Sequence, residues 1–132
     1  MSTGQIITTA GKKLVLNRTF KVTPDYLSPT QFKVGTGTDT PVIGDTDLGT
    51  AVTIDATNFK DIASGYPTLD ETNMQATIRC ILLTTEANSN SLTEFGIVNE
   101  DTSPILFSRL VHTAITKTTS VQVIYVEKDK II

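Results

Sequence analysis

The sequence predicts an all-β fold: a β-sandwich or a small barrel of short antiparallel strands, with little helix. Three observations predict it. Threonine supplies roughly one residue in five or six, and its β-branched side chain favours pleated, half-buried surface. From Met74 onward, apolar and polar side chains alternate through one stretch after another. Clusters of Gly, Pro, Asn, Asp and Ser interrupt these stretches roughly every 8–15 residues, the spacing of a meander of short strands.

The elements follow in order. Thr8–Thr23 reads as a strand, because Phe20 and Val22 alternate with Thr19, Lys21 and Thr23 before Pro24 breaks the run. Residues 24–29 form a turn-rich connection, and Gln31–Val34 is a short strand with Phe32 and Val34 on one face. Gly35-Thr-Gly37 opens a loop that Pro41 closes. Asp45 is placed to cap a single helical turn that Gly49 ends, and Ala51–Ile54 is read as another short strand. Residues 55–70 are irregular, with Tyr66 expected as an anchor on the sheet.

The second half is more regular. Met74, Ala76, Ile78, Cys80 and Leu82 share one strand face. The polar stretch Glu86–Ser91 is expected as an exposed loop. Thr93–Val98 and Ile105–Ile115 flank the turn Asn99–Thr102, and the mixed polarity of the returning strand suggests a face that meets a partner. Val121–Glu127 closes a single domain spanning residues 1–132, with an extended N-terminal arm (residues 1–12) and a C-terminal contact tail (residues 128–132).

Composition narrows the function classes. The charged share is 19% against 39% apolar, which suits a folded domain. Net charge is −3, and the local group Lys12, Lys13, Arg18 and Lys21 reads as a solvated face, so no nucleic-acid partner is expected. No apolar run approaches the roughly 20 residues that cross a bilayer, so no membrane insertion is expected. Met1–Ala10 lacks the basic start and apolar block of a secretory signal. One cysteine, Cys80, leaves no internal disulfide and points to folding in a reducing compartment.

Little in the sequence offers reactive chemistry. Cys80 and His112 each occur once, and Cys80 lies within the apolar run Ile78–Leu83, where a thiol is expected buried and inert. No G-x-S-x-G turn exists to present a serine. One His and one Cys are too few for zinc. Asp39, Asp45 and Asp47 supply oxygens of the kind calcium takes, but without EF-hand spacing they read as turn formers. Gly35-x-Gly37 continues to Thr40 and Pro41, not to the third glycine and helix of a phosphate loop. The expectation is therefore no enzyme, no cofactor, no metal, and no catalytic residue.

Two stretches carry a resemblance. Phe32-Lys-Val-Gly-Thr-Gly-Thr-Asp-Thr-Pro41, running on to Asp45-Thr-Asp-Leu-Gly49, resembles a segment of bacteriophage tail-collar fibre and tail-fibre attachment (baseplate) proteins. Leu92-Thr-Glu-Phe-Gly-Ile-Val-Asn-Glu-Asp101 is similar to a second segment of that family, and the closing part, Ile115–Glu127, matches its style, with Lys117 ahead of the final strand. The resemblance implies a non-enzymatic virion structural protein of the tail, baseplate or collar, made in the host cytoplasm. It would act as a homo-oligomeric adaptor or fibre-attachment component whose partners are other virion proteins. Contact residues are then expected at Gly35, Gly37, Asp45 and Leu48, at Asn88 and Asn90, at Ile131 and Ile132, and along the arm Met1–Leu16. A head decoration or head–tail joining protein is the alternative within the same class. A carbohydrate- or receptor-binding module using Tyr26, Tyr66 or Tyr125 is the alternative from another.

Overall fold

The computed structural model describes residues 5–132. It contains β1 (Ile6–Ile7), α1 (Thr9–Phe20), β2 (Gln31–Gly35), β3 (Lys60–Asp61), β4 (Thr68–Asp70), β5 (Gln75–Leu82), β6 (Asn90–Val98), β7 (Leu106–Lys117) and β8 (Val123–Lys130). The strands form two antiparallel sheets, one in the order β1-β7-β6-β2-β3 and the other β4-β5-β8. The all-β, sandwich-like expectation holds.

Alternation makes the smaller sheet. Ile78, Cys80 and Leu82 on β5 stand opposite Glu127, Tyr125 and Val123 on β8, and all six are buried. The intervening pairs Ile81–Ile124 and Arg79–Val126 face outward. In the larger sheet, Phe32, Val34, Phe95 and Ile97 fill the space between the sheets. The Phe95 ring stacks on Tyr125 at 4.3 Å between centroids, which joins the two layers directly.

The segment read as a strand from residue 8 to 23 is a helix over Thr9–Phe20. Its N-cap is Thr8, whose Oγ1 accepts the Gly11 N–H at 2.9 Å and donates to the Leu106 carbonyl. Only Thr8, Gly11 and Leu14, spaced by three, are buried beneath it. Gly11 lies so close to the Phe107 carbonyl that a Cβ would collide with it. Val15, Leu16 and Phe20 remain exposed. Apolar residues therefore surround this helix, no periodicity of 3.6 shows in its sequence, and the alternation at its C-terminal end misleads. The N-terminal arm is accordingly no extended segment past residue 8; residues 1–4 of it lie outside the described part.

Two smaller expectations also change. Asp45–Gly49 contains bends and no helical turn, and Ala51–Ile54 supplies one bridge, Gly35–Ala51, instead of a strand. No helix among the described residues is long and apolar enough to cross a membrane.

Candidate functional site

Gly35, Gly37, Asp45 and Leu48 converge, but on the chain's own sheet. The loop from Gly35 to Ala51 folds over the outer face of the larger sheet, and its centre is Glu94, which is fully buried. Glu94 Oε2 accepts the N–H groups of Gly37 at 2.8 Å and Thr50 at 2.7 Å. Its Oε1 accepts the Gly49 N–H at 2.8 Å and the Arg109 guanidinium at 3.1 and 2.9 Å. Arg109 Nη1 continues to Asp45 Oδ2 at 2.9 Å. A Cβ on Gly35 or Gly37 would run into the Glu94 carboxylate, so glycine is what lets the loop come this close. Leu48 packs with Val98 and Leu106 as a second, smaller core.

The electrostatics follow from this packing. Burial alone would push the Glu94 carboxyl up. The N–H groups of Thr50, Gly49 and Gly37, followed by Arg109, outweigh that and hold it below the usual carboxylate range. Glu94, Arg109 and Asp45 form a closed network that fastens a loop. The mixed polarity that suggested a partner on this face of β7 is satisfied within the chain. The stretches Phe32–Gly49 and Leu92–Asp101 are thus one physical unit, the first clasping the carboxylate of the second.

Asn88 and Asn90 are also turned inward. Asn88 Oδ1 accepts from Lys117 Nζ at 2.8 Å, and Asn90 Nδ2 donates to the Ala87 carbonyl at 2.9 Å. The loop expected to be fully exposed hides Glu86 and Ala87, and Glu86 pairs with Lys60 at 2.7 Å. Lys117 is fully buried, and that burial lowers its pKa. Ile131 and Ile132, by contrast, are exposed at the chain end.

Exposed apolar surface lies elsewhere. Leu16 and Phe20 stand one helical turn apart on α1, 62% and 78% exposed, and Val22 follows at 100%. Ile124 and Val126 form a second patch on the outer face of the smaller sheet. Between β1 and α1 on one side and the ends of β4, β5 and β8 on the other, the sheets part to leave a groove of about 610 Å³. Its walls are mainly Ile6, Ile7, Val15, Leu69, Met74 and Phe107, and Lys12, Lys128, Lys130, Asp70 and Glu71 ring it. The hydrophobic content of residues 6–20 gave a partial signal of this surface; the groove itself has none in the sequence.

The reactive candidates are placed as follows. Cys80 is buried, and burial, with the charge of Glu127, pushes its thiol pKa well up. His112 Nδ1 donates to the Thr113 carbonyl at 2.8 Å, which leaves Nε2 to accept from the Tyr125 hydroxyl at 2.8 Å. Tyr125 is buried in the core, so it offers no exposed aromatic platform, while Tyr26 and Tyr66 are partly exposed. Among the described residues no group of His, Cys, Asp and Glu is arranged to hold a metal. Asp45 and Asp47 are engaged by Arg109 and Lys33.

Compared with known proteins, the chain matches no family model, no curated protein and no solved structure.

Proposed function

We propose that this chain is a non-enzymatic structural protein of a tailed-phage virion, an oligomeric adaptor or fibre-attachment component of the tail, baseplate or collar. The observation that carries the assembly part is the exposed apolar surface on α1 and on the outer face of the smaller sheet. Single exposed apolar residues are ordinary, but contiguous ones, such as Leu16 with Phe20 and Ile124 with Val126, mark surfaces that dock on a partner. Contact between subunits removes that surface from water, and repetition around a symmetric ring multiplies modest contacts. The placement in a phage tail is supported by the two resembling stretches, Phe32–Gly49 and Leu92–Asp101, and by their packing as one unit.

Under this reading the Gly35–Ala51 loop builds the scaffold, and the helix and outer sheet make the contacts. Light scattering coupled to size exclusion tests the assembly: a closed oligomer at micromolar concentration is expected, and a monomer over the whole soluble range refutes it. Fractionating tails from heads tests the location. Retention on tails without heads is expected, and retention on heads alone would move the chain to a decoration or joining role.

A further inference from the structure

Beneath the apolar groove, two acidic side chains of β8, Glu127 and Asp129, lie in the seam between the sheets. Glu127 is only 4% exposed. Its Oε1 accepts from Ser108 Oγ of β7 at 2.7 Å, and the Gln5 side chain, just ahead of β1, lies beside the same carboxyl. Asp129 stands two residues on along the same face of β8, next to Glu127. With both ionised, Glu127 Oε2 and Asp129 Oδ2 are buried with no donor among the described residues. A single proton held between the two carboxyls satisfies both oxygens at once.

We propose that Glu127 and Asp129 share one proton and that this proton latches the smaller sheet to β7 and the Gln5–Ile7 segment, closing the seam under the groove. With the proton in place, Glu127 sits neutral against Asp129 and keeps its bond to Ser108 of β7, with Gln5 beside it. Without it, two adjacent carboxylates face each other through Glu127 Oε2 and Asp129 Oδ2, both buried and without a donor among the described residues, and repulsion drives the seam apart. Among the described residues no cation pairs with either carboxyl. The titratable neighbour on β5 is the Cys80 thiol, and Tyr125 precedes Glu127 on the same face of β8; β7 presents the Ser108 hydroxyl and, further along, His112 bonded to the Tyr125 hydroxyl, while Arg109 is engaged with Glu94 on the other face. Lys12 of α1, Asp70 of β4, and Lys128 and Lys130 of β8 stand at the solvated groove rim. The inference does not depend on the proposed assembly role.

Burial first, then the bond to Asp129 and its charge, pushes Glu127 up from an ordinary 4.5 to about 9. The folded chain therefore holds a proton that the unfolded chain has released throughout that window, so the latch loses strength as pH rises through it. Infrared spectroscopy of the full chain is the direct test. A protonated-carboxyl band is expected at pH 7, disappearing by about pH 10 as the protection factors of Ile6 and Ile7, corrected for base-catalysed intrinsic exchange, fall roughly tenfold or more. The variant Glu127→Gln keeps a donor for Asp129 and an acceptor for Ser108. It should lack the band, and between pH 6 and 10 its melting temperature should fall less than the wild type's by about 5 °C or more. Absence of the band in the wild type at pH 7 overturns the proposal, whether or not the variant folds. So do parallel melting curves for the two proteins.

Discussion

Replacing Glu94 by Gln tests whether the loop over the larger sheet is held by one buried carboxylate. The change preserves shape but substitutes an amide NH2 for one oxygen and removes the charge. If the amide oxygen stays on Arg109 and Gly49, the NH2 group faces the N–H groups of Gly37 and Thr50, which then lack an acceptor. If it flips, Arg109 loses its acceptor instead, and a 3%-exposed guanidinium keeps only Asp45. Either way a buried charge pair is broken from one side. Such losses cost about 3–5 kcal/mol, most of it the penalty of the group left behind. Summing the five hydrogen bonds separately would overstate the cost, because they share one carboxylate. Urea denaturation followed by circular dichroism should show that loss, and amide exchange should show Gly37, Gly49 and Thr50 losing protection before the strands do. A stability change under about 1 kcal/mol, or unchanged protection at those three amides, would refute the reasoning.

Further outcomes follow from the same structure. Gly11→Ala, which in an open helix interior gains about 1 kcal/mol, should instead destabilise by roughly 1–3 kcal/mol because its methyl meets the Phe107 carbonyl; thermal melting checks the reversal of sign. Thr8→Ala removes both the cap on Gly11 and the bond to Leu106 and should cost about 1–2 kcal/mol by the same measurement. Leu16→Ser with Phe20→Ser should leave stability within about 0.5 kcal/mol yet weaken self-association severalfold in sedimentation velocity. Acidification should release the Glu94 clamp: its carboxyl is held below the usual range, so its contribution is complete above an ordinary 4.5 and is lost as pH falls further. Protection factors at Gly37 and Gly49, corrected for intrinsic exchange, should fall below pH 4 in the wild type and be insensitive to pH there in the Gln variant.

Alternation along Ile78–Leu82 and Val123–Tyr125 was legible because each strand buries one face and wets the other, so period two appears directly in the residue types. The hairpin of β6 and β7 was legible from the turn at Asn99–Thr102. Helix α1 was not, because it buries only Thr8, Gly11 and Leu14, a stripe too narrow and too weakly apolar to register. Glycines 35 and 37 were recognised as a turning loop, but their reason for being glycine, the approach of Glu94 from about 60 residues away in sequence, lies in no local pattern.

The sequence by itself determined the antiparallel strand content, the core faces of β5, β6 and β8, and the burial of Cys80, since these depend on near neighbours along the chain. Tertiary structure alone decided that Arg109 and Asp45 meet over Glu94, that Glu127 is buried in the seam beside Asp129, and that Phe20 faces water. Each of these depends on pairing between distant segments. A charged side chain reads the same in sequence whether it is solvated or buried; only the fold supplies the donors, or the missing donors, that give it a role.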